Sequence, residues 1–215
     1  ERQQVLVVDE TGWKLSTTRA AASIDALLGC VASGAYHLDL LDLLKSPHLF
    51  CDLDPGLRGE AVCCIERNIR RHGIRAGLDA ARHALRAENH PDDERAGEQI
   101  AAAALVLIDR VEAATILLRG KPAPLARWLA RLRRALENLA AVDALAADAA
   151  GAQLLALIDQ RSAELEGSSA SFAFAAFRDW LDRECEAAAF RDRSIASSIV
   201  LLPRHDTRLR SFEAA

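Results

Sequence analysis

The segment 67–86 concentrates positive charge at a spacing that suits phosphate binding. It holds six arginines against one acidic residue, a net charge of +5. Several of these arginines are four residues apart, which places them on one face of a helix. Such a stripe would hold several phosphates and make binding salt-dependent. The alternative is a solvated face that pairs with Asp92, Asp93 and Glu94 or with another subunit. The six residues are Arg67, Arg70, Arg71, Arg75, Arg82 and Arg86.

A second basic cluster follows the sequence "RGKPAP" and surrounds Trp128. We predict that Trp128 is a packing residue, and stacking of a nucleic-acid base on its ring is the alternative. The cluster consists of Lys121, Arg127, Arg131, Arg133 and Arg134.

Patterns for catalysis are absent from the sequence. Neither GxxxxGK[ST] nor GxGxxG occurs, so no phosphate-binding loop is predicted. The nucleophile elbow GxSxG is also missing. Asp39 and Asp42 are expected on a solvated helix face, and the adjacent His205 and Asp206 do not indicate a catalytic dyad. We therefore predict no catalytic residue in this chain.

Five cysteines without regular spacing predict reduced thiols, since an odd count without CxxC pairs does not indicate a disulfide framework. A zinc site is the alternative, and it would support a free-standing metal enzyme. Its ligands would come from His48, Cys51, Cys63, Cys64 and His72.

Composition predicts a folded protein of one large or two small domains. The chain has 215 residues, 51% hydrophobic content and a net charge of −4. These values argue against disorder and against a protein that binds nucleic acid over its entire surface. Any DNA contact must therefore be a local patch. The sequence contains no run of apolar residues long enough for a membrane span and opens without a signal peptide. It also lacks methionine, which suggests an internal piece of a longer protein.

The periodicity predicts a mainly α fold, a helical bundle between two short strands. The strands are expected within 4–12 and at Ile199–Leu202. Two isolated strands do not make a stable sheet, so they either pair with each other or join further strands. This pattern indicates a helical insertion in an α/β domain. Helices are expected over about 16–34 (capped by Ser16 or Thr17), 38–46, 58–72, 76–87, 90–118, 124–148, 152–166 and 172–190.

The closing sequence "LLPRHDTRLRSFEAA" resembles a superfamily 1 helicase motif. In active members, a strand followed by T-x-H-x-x-K-G-L-E-F-D lies beside ATP and DNA in the second RecA-like lobe. His205 falls on the histidine of that motif, Arg208 on the lysine, and Phe212 and Glu213 on the final aromatic–acid pair. The motif's glycine and glutamate are replaced by Leu209 and Ser211, which implies a motif without its chemistry.

Most of the chain resembles AddB-type subunits of bacterial helicase–nucleases and related proteobacterial DNA repair proteins. The strings "VVDETGWKLSTTRAAASIDALL", "LDLLKSPHLF", "IERNIRRHGIRAGLDA" and "FAFAAFRDWLDRECEAAAFRD" occur in the family's order and spacing. The resemblance implies part of a helicase-like 2A lobe at 1–57, a helical 2B-like domain at 58–193 and a return strand into 2A at 194–215.

The resemblance also implies a function without catalysis by this chain. We expect a domain in double-strand-break repair that guides DNA or docks a helicase partner subunit in the bacterial cytoplasm. The chain itself would need no cofactor or metal. ATP and Mg²⁺ would belong to the parent protein, and its PD-(D/E)xK nuclease would lie outside this sequence. The alternative is an interaction scaffold without DNA contact. The DNA-binding residues are expected to be Arg67, Arg70, Arg71, Arg75, Arg204, His205 and Arg208.

Overall fold

Helices dominate the computed structural model, which describes residues 8–9, 12–87, 94–191 and 199–201. The mainly α prediction is confirmed. The helices of the described residues are α1 (Arg19–Ala32), α2 (His37–Lys45), α3 (Pro55–His72), α4 (Leu78–Ala87), α5 (Glu94–Leu118), α6 (Leu125–Asn138), α7 (Val142–Ala147), α8 (Ala149–Glu164) and α9 (Phe174–Ala187).

Short strands tie distant parts of the chain together in pairs. Within the described residues they are β1 (Val8–Asp9), β2 (Trp13–Lys14), β3 (Ala123–Pro124), β4 (Ser171–Phe172), β5 (Ala189–Phe190) and β6 (Val200–Leu201). β1 pairs with β6 in parallel, whereas β2 pairs with β5 and β3 with β4 in antiparallel orientation. The chain therefore returns, after all of its described helices, to the strand from which it set out.

Helix boundaries follow local capping chemistry. The Thr18 hydroxyl accepts a hydrogen bond from the Ala21 amide and caps α1. The predicted caps Ser16 and Thr17 are wrong, because both lie in a 3-10 turn before the helix. Gly73 ends α3 at a φ of 61°, in the left-handed region that favours glycine.

α5 is the central helix of the bundle and packs against α3, α4 and α6. At 25 residues it is about 37 Å long. Its buried side chains recur every three or four positions, which turns one stripe of the helix to the core. Several of them are alanines, whose small size allows neighbouring helices to approach closely. The fully buried members are Ala104, Leu107, Ile108, Val111, Ala114, Thr115 and Leu118.

The predicted single helix over 124–148 is wrong, since residues 139–141 separate α6 from α7. Ala140 adopts a φ of 49°, which is left-handed and incompatible with a continuing α-helix. The Leu139 carbonyl accepts a hydrogen bond of 2.7 Å from the Phe50 amide. Leu139 is also fully buried. Tertiary packing therefore ends the helix here, although the sequence contains no glycine or proline at this point.

Gly151 lies in the first turn of α8, where it permits a close contact with α7. A β-carbon at this position would lie 2.2 Å from the Leu145 carbonyl oxygen. The Asp148 side chain accepts a hydrogen bond of 2.8 Å from the Gly151 amide and caps the helix. The predicted start of this helix after Gly151 is therefore a few residues late.

Candidate nucleic-acid interface

Four predicted DNA-binding arginines form an exposed surface at the end of α3, which we call the α3 patch. Arg67, Arg70 and Arg71 lie on the last turns of α3, and Arg75 lies in the loop that leads to α4. The Arg75 carbonyl accepts a hydrogen bond of 2.9 Å from the backbone amide of His37. This bond ties the loop to the start of α2. The structure thus brings these four arginines onto one end of the bundle.

Part of the charge of the α3 patch is already neutralised within the protein. Arg70 forms an ion pair with Glu66 one turn earlier in α3. Lys45 from α2 donates to the other oxygen of Glu66 at 2.9 Å. The hydrogen bond from Lys45, with the nearby charges of both cations, holds the pKa of Glu66 below its ordinary value. Glu66 therefore stays ionised and offsets one of the positive charges on this surface.

Arg82 does not belong to an exposed cationic stripe, although its spacing places it in one. Only 14% of its side chain is exposed. Its guanidinium donates to Asp79 on α4 at 2.7 Å and to Asp109 on α5 at 2.9 Å. It also forms an ion pair with Glu112 on α5. Arg82 therefore clamps α4 to α5, and the count of +5 in the sequence overstates the charge available to a ligand.

The α3 patch also has a local structural role at the C-terminus of its helix. Arg70, Arg71 and His72 occupy the last turn of α3. Cations there interact favourably with the negative end of the helix dipole, typically by about 0.3–1 kcal/mol each. The presence of basic residues at this end is thus explained in part without any ligand.

The second basic surface lies on α6 and the turn before it, and we call it the α6 cluster. Three of its side chains are exposed and two are half-buried. Across the described ranges, none of the five forms an ion pair with an acidic residue. Glu137, one turn beyond, is the nearest acid along the helix and is not paired with them. The members are Lys121, Arg127, Arg131, Arg133 and Arg134.

Trp128 is fully buried beneath the α6 cluster, which confirms its predicted role in packing. Its indole N–H donates a hydrogen bond of 2.8 Å to the Phe172 carbonyl on β4. Its ring stacks on Phe177 of α9 at a centroid distance of 5.6 Å. The ring is thus inaccessible to a nucleic-acid base. The Arg131 guanidinium lies over it, 4.7 Å from the ring centroid, in a cation–π contact.

Arg131 and Arg133 each contain a guanidinium nitrogen that donates no hydrogen bond to the described residues. The Nη1 atoms of both residues are buried and have no acceptor among the residues that the structure describes. An unsatisfied buried donor typically costs about 1–3 kcal/mol. Both guanidinium groups are therefore held at a cost to stability, in contrast to Arg82.

Ser23, which lines a cleft of 630 Å³ between α1 and α2, contacts a histidine in a way that the sequence did not reveal. The Ser23 hydroxyl lies 2.9 Å from Nδ1 of His48 and accepts a hydrogen bond of 2.7 Å from Ser46. Ser23 is only 2% exposed, and its hydroxyl donates to the Arg19 carbonyl at 3.0 Å. Since this donation binds the hydroxyl to its own helix, the contact orients the His48 ring and serves packing rather than nucleophilic attack.

The cysteines divide between the core and the surface. Burial raises the pKa of Cys30 to about 12 and that of Cys185 to about 11, so both thiols are protonated at neutral pH. In the proposed zinc set, Cys64 is buried whereas its neighbour Cys63 is exposed, and the two side chains point to different environments. Within the described ranges, no group of three or more His, Cys, Asp or Glu side chains is placed to hold a metal ion.

Three predicted DNA-binding residues, Arg204, His205 and Arg208, lie outside the described residues.

No protein-family model matches the chain, and no curated protein matches it. None of the helices in the described part of the chain combines the length and apolar character needed to cross a membrane.

Proposed function

We propose that the chain is a non-catalytic helical arm of a DNA repair helicase–nuclease, in which it guides DNA or docks the partner subunit. The proposal combines the resemblance to AddB-type proteins with the way the helices leave and rejoin one strand pair. ATP and Mg²⁺ would act in the parent protein and not in this arm. The proposed setting is the bacterial cytoplasm.

The parallel pairing of β1 with β6 is the observation that carries the proposal. Val8 aligns with Val200 and Asp9 with Leu201 across the pair. Parallel strands need a crossover connection, and parallel sheets occur mostly inside α/β proteins with both faces covered. The helices between the two strands make up such a crossover, much enlarged. This arrangement is the one expected of a helical insertion into an α/β lobe.

Exposed apolar side chains on β6 and on the residue just before it support the same interpretation. Ile199, Val200 and Leu201 are 48%, 37% and 56% exposed. A two-stranded ribbon does not hold itself together in water, and parallel strands are normally buried. We propose that further strands of the parent protein's lobe extend this pair and cover these residues. Arg204, His205 and Arg208 would then line the former motor cleft of that lobe.

The α3 patch would supply phosphate contacts in this proposal. Arg67 and Arg75 are exposed and form no ion pair within the described residues. Both remain available to a phosphate, whereas Arg70 would have to exchange Glu66 for the ligand. The ion pair between Arg70 and Glu66 also supports the alternative, an interaction scaffold. Together with Lys45 it gives this surface both positive and negative charges, as is common in protein–protein contacts. In that case the arginines would bind an acidic surface on a partner protein.

Salt-dependent binding of duplex DNA tests the proposal. We expect the chain to bind a short labelled duplex with an affinity that falls steeply as salt rises. The triple variant Arg67→Ala/Arg71→Ala/Arg75→Ala should bind more weakly, with a salt slope lower by roughly 2 to 3 because up to three phosphate contacts are lost. Absence of salt-dependent binding by the unmodified chain, together with partner capture that nuclease treatment does not affect, would favour the scaffold instead.

A further inference from the structure

We infer that the α6 cluster is a second surface for a nucleic-acid backbone, and that it binds phosphates more strongly than the α3 patch. The inference rests on the proposed role in DNA binding, but it assigns that role to a surface that the helicase resemblance does not mark. Its five cations lie close in sequence, with no acidic residue between Lys121 and Arg134. Three independent features of the structure point to an external anion.

The first feature is the absence of acidic partners among the described residues. Most half-buried arginines in the described chain are engaged by acids, as Arg82 is by three and Arg110 is by Asp52. The α6 cluster has no such partner among the described residues. The positive charge of these side chains is therefore not neutralised within the described part of the chain, although the net charge of the whole chain is −4. A local positive field attracts a polyanion to this surface although the protein as a whole is acidic.

The second feature is placement against the helix dipole. Arg127 lies in the first turn of α6, where the helix dipole is positive and a cation is unfavourable. The last turn of α6 contains no basic residue, so the cluster does not stabilise the negative end either. The helix dipole explains part of the α3 patch, but it disfavours Arg127 and does not explain the arginines in the middle of α6. A role outside the chain accounts for arginines in these positions.

The third feature is the fit between the helix face and a phosphate backbone. Arg127, Arg131 and Arg134 are spaced so that they share one face over about 10 Å of helix. A nucleic-acid strand carries one phosphate per about 3.4 Å of duplex axis, so this face meets phosphates in any register.

Arginine rather than lysine dominates the cluster, which favours phosphate over scattered carboxylates. The planar guanidinium donates two parallel hydrogen bonds to a phosphate, and its geometry is fixed before binding. The cation–π contact of Arg131 with Trp128 adds to this, because the buried ring supports the guanidinium group from below. A regular, sequence-independent polyanion fits such a surface better than an acidic protein of irregular charge.

Fluorescence anisotropy with a short labelled DNA duplex, titrated over a range of salt concentrations, tests the inference. The variant Arg127→Gln/Arg131→Gln/Arg134→Gln should lower the salt slope by about 3 and the affinity by roughly a hundredfold near 0.1 M salt. The Arg67→Ala/Arg71→Ala/Arg75→Ala variant should lose less. A matched control, Lys14→Gln/Arg161→Gln/Arg178→Gln, removes the same charge from cations that are paired with Glu186, Glu164, Glu184 and Asp25, and it should change the slope little.

Two further variants separate charge from folding. Arg127→Gln/Arg134→Gln leaves the contact of Arg131 with Trp128 intact, so a slope lower by about 2 with an unchanged circular dichroism spectrum supports the inference. Replacement of Arg127, Arg131 and Arg134 by lysine should keep most of the salt slope of the unmodified chain.

An unchanged slope in the triple glutamine variant, while the α3 variant loses binding, would overturn the inference and leave the proposed function standing. If the unmodified chain shows no salt-dependent DNA binding, the inference and the DNA-guiding part of the proposed function both fail. Loss of binding to polyglutamate alone would assign the surface to an acidic protein and would also overturn the inference.

Discussion

The α3 patch and the α6 cluster look alike in the sequence and differ in what their charges do. Around the α3 patch, Arg70 is paired with Glu66, and Arg82 clamps two helices through three acids. In the α6 cluster no cation is paired among the described residues, and two guanidinium groups carry a buried nitrogen without an acceptor. The comparison shows that the charge available to a ligand depends on the acids that the fold brings to each arginine, and for Arg82 two of these acids lie far away in sequence.

The positions of the basic residues along their helices also favour the α6 cluster over the α3 patch as a binding surface. The basic residues at the end of α3 stabilise the helix that carries them. The arginines of α6 lie in its first turn and middle, where they bring no such benefit. A surface whose arginines gain nothing from the helix dipole and have no acidic partner among the described residues is the stronger candidate for binding.

The largest effect on the comparison is expected from Trp128→Ala, which removes the support beneath Arg131. The indole is fully buried and stacks on Phe177, so its loss should lower the free energy of unfolding by about 3–5 kcal/mol. Urea denaturation followed by circular dichroism measures this. A loss below about 1 kcal/mol would mean that the ring is not in the core and would reopen a role in base stacking.

Arg82→Met should destabilise the protein by about 1–2 kcal/mol, because it leaves three carboxylates on α4 and α5 without their shared partner. The exposure of Asp79 and Asp109 keeps the loss below that of a fully buried ion pair. Urea denaturation measures this change, and the DNA affinity of the variant should stay the same. A stable variant with weaker DNA binding would return Arg82 to the phosphate-binding stripe.

Arg131→Met should change the free energy of unfolding by less than about 1 kcal/mol in either direction. The substitution loses the cation–π contact with Trp128 but also removes the unsatisfied Nη1 donor, and the two effects are similar in size. Thermal unfolding compared with Arg82→Met checks the contrast. Equal losses in both variants would mean that the arginines of α6 are as structural as Arg82.

The smallest effect is expected from Glu66→Gln, which releases Arg70 and Lys45 to solvent. DNA affinity should rise about twofold at low salt, since the α3 patch gains net positive charge. Lowering the pH should act in the same direction. The pKa of Glu66 is held below its ordinary value, so its pairing is present at neutral pH and is lost only as the pH falls through that lowered pKa. Anisotropy measurements on the variant should show no such rise in affinity at acidic pH.

The helices could be predicted from the sequence because their signals are local. The turn at Gly73, the stop before Pro47 and the buried spacing of Phe177, Leu181 and Cys185 follow from periodicity and capping alone. The break at Ala140 could not be predicted, because it depends on a hydrogen bond from Phe50, a residue far away in the chain. The two-residue strands β2 to β5 also lack a pattern, since two residues are too few to show alternation.

The candidate site divides along the same line. The positions of the arginines on exposed faces followed from their spacing, whereas the pairing of Arg82 depends on α5 and could not be predicted from its own helix. The contact between Ser23 and His48 was missed because it joins two elements separated by 25 positions. Local periodicity thus locates a charged face, and only the tertiary structure shows whether its charges are neutralised by ion pairs within the protein.

The proximity of β1 and β6 is the most direct test of the account, because it decides whether the helices form an insertion. Nitroxide labels at Asp9→Cys and Leu201→Cys, with the exposed Cys51 and Cys63 replaced by serine, would report it by electron paramagnetic resonance in frozen solution. Neighbouring strands lie about 5 Å apart, so the doubly labelled protein should show strong dipolar broadening. A spectrum equal to the sum of the two singly labelled proteins would contradict the account.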